Sequence, residues 1–217
     1  MKIINLSYIL SNNTPSYGSR HKFKIIKEKS ILDGDSSNSF TLSFLNHMGT
    51  HIDAPNHFHK DGKKIADFEP EELIFNNPQL INVDLSQFNE ISKSTIVEEI
   101  DTRSDIIFFR TYFSKKRSSR EYIESYPVFS SSFANELKNY YPNLRCIGMD
   151  IISLTSPLNR DEGTKSHQIL LNNDSREIMI IEDMFLDNYN NKIDKAIVIP
   201  LMVEGIDSAP CTVYGIY

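Results

Sequence analysis

The segment HMGTHIDAPNHFH, residues 47–59, constrains this 217-residue chain more than any other. It holds four of the six histidines, where composition alone would put roughly 0.4 in a window of that length. Gly49 and Pro55 interrupt it and argue against a regular helix, because glycine favours loops and proline lacks the amide donor. The expectation is a tight loop from which His47, His51 and Asp53, spaced His-x3-His-x-Asp, converge on one ion. Imidazole nitrogen and carboxylate oxygen without thiolate form a donor set suited to catalytic zinc, manganese or iron, whereas structural zinc usually recruits cysteine. Gly49 lets the chain turn, Pro55 stiffens the exit, and His57, four residues past Asp53, is near enough to reach a bound water.

Three ligands from one loop leave an ion open, so a second half of the site is expected elsewhere. His167, in TKSHQILL, is the other histidine available, and a helix-surface role suits it equally well. Glu182 ends the apolar run IMIIE, where a carboxylate is costly to bury unless it is paired or coordinated; a strand end facing water is the other reading. Asp183 is the weaker neighbour. His59, followed by Lys60, Asp61 and Gly62, reads as a solvated loop residue, and His21, between Arg20 and Lys22, as exposed.

Around this segment the chain reads as strands with a few helices. Strands are expected over 2–10, 22–29, 40–46, 79–85, 105–113, 146–152, 178–181, 196–203 and 212–217, from β-branched and aromatic runs broken by turn chemistry such as NNTPSYGS and LDGDSSNS. A short helix is expected over 94–100, capped by Ser94 or Thr95, and a clear one over 130–141 with Phe133 and Leu137 on one face. A third helical stretch lies around 165–171. The fold class that follows is α/β or α+β with a mixed sheet, and the length suits one domain spanning 1–217.

Composition bounds the rest. With 40% hydrophobic and 24% charged residues the chain is of the soluble globular type, and a net charge of −6 argues against a nucleic-acid partner. The basic run KKRSSR, 115–120, is read as a solvated loop. Cys146 and Cys211 sit far apart in apolar contexts and read as buried reduced thiols. The apolar start MKIINLSYIL is short and carries Asn5 and Ser7, so a strand fits better than a signal peptide. No stretch approaches membrane-spanning length, and a cytoplasmic location without membrane partners is expected.

HMGTHIDAPNH is similar to the H-x-G-T-H-x-D-x-P-x-H signature of the metal-dependent cyclase-like hydrolases, a family that includes kynurenine formamidases and isatin hydrolases. The likeness continues in order through most of the chain. INLSYILSNNTPSYG resembles the opening strand and substrate loop, FFRTYF the Leu-Arg-Thr strand, and GMDIISLTSP the segment before the distal histidine. IEDMFLDN resembles the glutamate strand, and IPLMVEGIDSAP the Gly-x-Asp-x-x-Pro ending. The resemblance implies a swivelling β/β/α domain with a mixed β-sheet core and a few packed helices, assembled as a homodimer or larger. It implies that His47, His51 and Asp53 hold a first ion, that Asp53 bridges to a second completed by His167 and Glu182, that His57 is the acid/base, and that Tyr17 contacts substrate. The ions are divalent, zinc first and manganese as the alternative, two per subunit. Tyr17 stands where the formamidases carry a tryptophan, and Thr212 where the ending carries an arginine, two departures that bear on substrate and leave the metal chemistry intact.

The activity implied is hydrolysis of a small amide, lactam or ester by metal-activated water, with specificity carried by loops such as 12–21 and 114–126. The alternatives are a non-catalytic divalent-metal-binding protein on the same fold, and an interaction module, which would need a broken ligand set where none is broken.

Overall fold

The run Ile106–Phe109 has no polar residue in alternation, and a strand of that kind must be covered on both faces. A computed structural model, which describes residues 1–87, 89–174, 176–187 and 192–217, places it that way. Asn188, the last residue of IEDMFLDN, lies outside the described residues. In chain order the strands are β1 (Ile3–Asn5), β2 (Lys24–Lys29), β3 (Ser39–Ser43), β4 (His51–Asp53), β5 (Ile74–Phe75), β6 (Pro78–Asn82), β7 (Glu90–Ile91), β8 (Ile106–Arg110), β9 (Val128–Phe129), β10 (Cys146–Met149), β11 (Met179–Glu182), β12 (Lys195–Pro200) and β13 (Ser208–Ile216). The α-helices among the described residues are α1 (Glu121–Glu124), α2 (Ser131–Tyr140) and α3 (Arg160–Leu171).

A nine-stranded sheet runs β5-β12-β13-β4-β11-β10-β8-β6, with β1 on β13. The half from β6 to β11 is parallel. From β11 onward the pairings are antiparallel, and β4 sits at the join between β11 and β13. Side chains alternate across this sheet with a period of two. Ile107, Phe109, Ile147 and Ile180 meet the apolar stripes of α2 and α3 on one face; Ile52, Ile106, Phe108, Cys146 and Ile181 fill the other. The fold is thus the mixed α/β architecture expected, and both cysteines are buried and free.

Most strands end within a few residues of their sequence limits, and α3 begins earlier than expected, where the Asn159 side chain accepts from the Glu162 amide. Two expectations away from the histidine segment fail. Residues 94–100 do not form a helix: Ile96 bridges to Val83, and the Glu98 carboxylate accepts from the Asn82 amide at 2.6 Å. The Thr95 hydroxyl bonds the Ser92 amide and the Glu90 carbonyl, a local alternative that competes with helix, and three β-branched residues in succession add to the cost. The run 115–120 is not simply a solvated loop: Arg117 turns inward and forks onto Asp183 at 2.8 and 2.6 Å. The β2–β3 hairpin stands apart from the sheet with both faces exposed, Ile25, Ile26, Phe40 and Leu42 included.

Candidate metal centre

β4 explains why two ligand-type residues point the same way. His51 and Asp53 are two residues apart on a strand, not on the tight loop expected, so both project from one face while Ile52 packs into the opposite core. The register places Glu182 directly across from His51, and Ile180 across from Asp53, which fixes the shared face as the one α3 covers. Gly49, at φ +67°, makes the turn into β4, and a Cβ there would lie 2.3 Å from Leu10 Cδ2.

α3 delivers the distal imidazole. Gly163 lets this helix approach the 154–155 loop so closely that a Cβ would lie 2.4 Å from Thr155 Cα. One turn later His167 donates Nδ1–H to the Gly163 carbonyl at 2.9 Å, because a carbonyl can only accept. Its Nε2 therefore faces inward, 3.3 Å from Glu182 Oε1 and 3.8 Å from Asp53 Oδ2. His51 is oriented by the same device, Nδ1–H to the Gly49 carbonyl at 2.8 Å, leaving Nε2 3.3 Å from Glu182 Oε2 and 3.7 Å from Asp53 Oδ1. Locking the outer nitrogen and presenting the inner lone pair is how metal-binding histidines are held. Glu182 is buried and accepts from the Leu154 amide at 2.6 Å and the Ser153 hydroxyl at 3.1 Å.

His47 and His57 stand on the more open side. His57, in the short turn Pro55–His57, donates Nδ1–H to Asp207 at 2.7 Å; His47 Nε2 lies 3.2 Å from the same oxygen and its Nδ1 3.0 Å from Asp53 Oδ1. Asn46 donates to the other Asp207 oxygen at 2.8 Å. The residues His47, His51, Asp53, His57, His167 and Glu182 thus form one cluster. Ligand atoms come within 4.8 Å of one another in two overlapping groups, His47–Asp53–His57 and His51–Asp53–Glu182. His59 stays outside, bonded to the Gln168 carbonyl, and Asp183 faces Arg117. Asp207 was not singled out from the sequence, although the Gly205-x-Asp207 segment carried it.

The electrostatics are those of imidazoles and carboxylates buried against one another. Burial alone would lower the His47 pKa, but Asp53 and Asp207 outweigh it and push it up to about 10. His51 and His167 are raised in the same way by Glu182 and Asp53 against the cost of burial. Burial would raise Glu182, yet His167 and His51 bring it down to about 2. Asp53 is held well below the carboxylate range by its histidine neighbours despite full burial. His51 Nε2 and both oxygens of Asp53 are nevertheless buried without a hydrogen-bond partner among the described residues. Polar atoms stranded inside a protein are expensive, and bound divalent cations would satisfy these three. Above the cluster lies a cavity of about 370 Å³ with Tyr17, Leu45, Phe58 and Ile152 in its walls.

A family model described as "Putative cyclase" matches residues 4–155. Kynurenine formamidase of Bacillus cereus is 28% identical over 207 residues, covering 95% of this chain and 93% of the relative. Among solved structures, a potential metal-dependent hydrolase with cyclase activity superposes with a TM-score of 0.75 at 21% identity, covering 99% of this chain and 96% of its own. An isatin hydrolase bound to the product analogue thioisatinate gives 0.79 at 17%, covering 99% and 91%.

Proposed function

The chain belongs to the cyclase family, and from that membership we propose that it is a metal-dependent hydrolase of a small amide, lactam or ester, built over 1–217 as one domain. The observation that carries this reading is the trio of buried, unpartnered acceptors on His51 and Asp53, faced by Glu182 and the inward Nε2 of His167. His47, His51 and Asp53 would hold one divalent ion, and Asp53, His167 and Glu182 a second; zinc is the first choice and manganese the alternative. Bound there, the cation supplies a Lewis acid and lowers the pKa of water from 15.7 toward about 7.

The protein's own residues handle the proton. Asp207 accepts from His57 Nδ1, so the neutral imidazole offers Nε2 as a base. His57 takes the proton as water oxygen adds to the carbonyl carbon, then returns it to the leaving nitrogen or oxygen as that bond breaks. Tyr17, Leu45, Phe58 and Ile152 shield the apolar part of the substrate. The kynurenine formamidase relatives point to aryl formamides as the first compounds to try, and the isatin hydrolase fold neighbours to aryl lactams.

The exposed apolar face of the β2–β3 hairpin supports a homodimer, since two-stranded hairpins are marginal without packing. The buried free thiols suit a reducing cytoplasm, and among the described residues no helix is long and apolar enough to cross a membrane. The test loads metal-stripped protein with zinc or manganese and assays aryl formamides, aryl lactams and phenyl esters. Turnover of at least one class, lost on chelation and in Asp53→Asn, is expected. Tight metal binding with no turnover in any class would refute the reading and leave a non-catalytic metal protein.

A further inference from the structure

The cavity over the metal cluster has one wall whose charge no other described residue pairs with. Residues 16–21 form a closed loop: the Ser19 amide donates to the Ser16 carbonyl at 2.9 Å, and the Ser16 hydroxyl donates to the His21 carbonyl at 2.7 Å. Ser16 is itself buried and bridges to Met48, beside His47, so the loop is fastened to the strand entry that carries the site. Within it Gly18 and Ser19 adopt φ of +62° and +55°. Consecutive left-handed residues are uncommon, and at a serine they are strained; such strain persists where surrounding contacts enforce it. The reversal puts both Tyr17 and Arg20 in the cavity wall.

Arg20 is the one lysine or arginine among the described residues lining that cavity. Its guanidinium makes no hydrogen bond or ion pair with any described residue. The other polar groups of the wall are largely committed: Ser16 to the loop, Ser153 to Glu182, Thr155 to His167. The carboxylates of the centre, Asp53 and Glu182, would be taken by cations. A free planar fork of donors beside an apolar slot is matched by a carboxylate, which accepts two of its N–H groups at once.

We propose that Arg20 is the specificity-determining residue of this enzyme and that its preferred substrates are anions, amides or lactams whose ring or side chain carries a carboxylate. Tyr17 covers the ring, Arg20 holds the acid group at the mouth, and the scissile carbonyl is directed toward the centre. This inference rests on the hydrolase reading above and sharpens it to a substrate class.

The test uses metal-loaded protein and compares formanilide with the three N-formylaminobenzoates, which add one carboxylate at the ortho, meta or para position. Wild type should favour at least one acid over formanilide by about tenfold in kcat/KM, the advantage lying in KM, as suits a charge-assisted pair at a solvent-open mouth. Arg20→Gln should bring that ratio close to one, and Arg20→Lys should keep part of it. A second readout does not depend on turnover: calorimetric titration with benzoate and benzamide. The benzoate-to-benzamide affinity ratio should fall about tenfold in Arg20→Gln, while any contact of benzoate with metal is common to both proteins. If the ratio is the same in wild type and Arg20→Gln, Arg20 is no anion receptor and the inference fails even where formamides are hydrolysed. If no formamide is turned over but the ratio falls, the hydrolase reading is what fails.

Discussion

Arg117→Ala should be strongly destabilising although Arg117 lies outside the proposed metal ligands. Asp183, the residue after Glu182, is 1% exposed and holds φ +51°. Its carboxylate is satisfied by three donors: Arg117 Nε at 2.8 Å, Arg117 Nη2 at 2.6 Å and the Tyr122 hydroxyl at 2.6 Å. The Arg117 side chain is only 18% exposed, and its guanidinium lies 3.8 Å from the centroid of the Tyr8 ring. Alanine leaves a buried carboxylate with a single phenol for company. Removing one partner of a buried pair costs about 3–5 kcal/mol, and water entering at the partly open guanidinium position favours the lower end. At about 2–4 °C per kcal/mol for a chain of this size, 3 kcal/mol corresponds to a fall in Tm of about 6–12 °C.

Thermal unfolding followed by near-ultraviolet circular dichroism reads this directly, and a double-mutant cycle isolates its cause. Asp183→Asn removes the stranded charge and is tolerated by the left-handed backbone, which asparagine adopts readily. In the Arg117→Ala background it should therefore restore much of the lost stability, whereas alone it should destabilise. A Tm for Arg117→Ala within about 2 °C of wild type would refute the burial argument. So would a double variant less stable than Arg117→Ala, because the damage would then lie in lost packing and not in an uncompensated charge.

His57→Ala should keep its metal by elemental analysis and lose about 10²–10⁴-fold in kcat, the usual range for a positioned acid/base. Asp207→Asn, which disturbs the tautomer and not the ring's presence, should lose less in kcat at equal metal content. Gly163→Ala forces a methyl against Thr155 Cα and the Leu154 carbonyl, backbone that has nowhere to go, and should lower stability by about 1–3 kcal/mol in urea unfolding. Metal uptake should release protons. In the metal-free chain the carboxylates outweigh burial and lift His47 to about 10, so it is charged at pH 7; this contribution to metal-free stability is present below about 6.5 and lost as pH rises through about 10. A ligand must be neutral, so apparent affinity should rise with pH and the binding enthalpy at pH 7 should change with the ionisation enthalpy of the buffer. A buffer-independent enthalpy would show that no proton leaves.

What could be read from the sequence was whatever depends on local pattern. The doubly apolar run of β8, the stripe of α2 and the strand ending in Glu182 each announce themselves over a handful of residues. So does the histidine segment, whose donor types name the chemistry before any geometry is known. Residues 94–100 misled because their polar side chains bond the local backbone, a competition that propensity does not register. Arg117 misled because a basic run is normally solvated, and only the long-range pairing with Asp183, sixty-six residues away, turns it inward. Asp207 and Arg20 went unassigned for the same reason. Their partners, His57 and the cavity, are brought to them by the turn just before β13 and by the strained loop, neither of which leaves a periodic signal.

The short strand β4 joins these two levels. It has only three residues, yet it sits where the parallel half of the sheet meets the antiparallel half and is paired on both sides, with Glu182 and Pro210 flanking His51. Because pleat alternation has a period of two, a slip of one residue would send His51 and Asp53 into the apolar face and bring Ile52 out beside Glu182. That slip would bury two ionisable groups among Phe108, Ile181 and Val198, which is forbiddingly unfavourable without partners. The apolar side chain of Ile52 therefore does as much to aim the donor set as the donors themselves. A polar substitution at Ile52, such as Ile52→Asn, should weaken metal retention along with stability, although the side chain never faces the cluster.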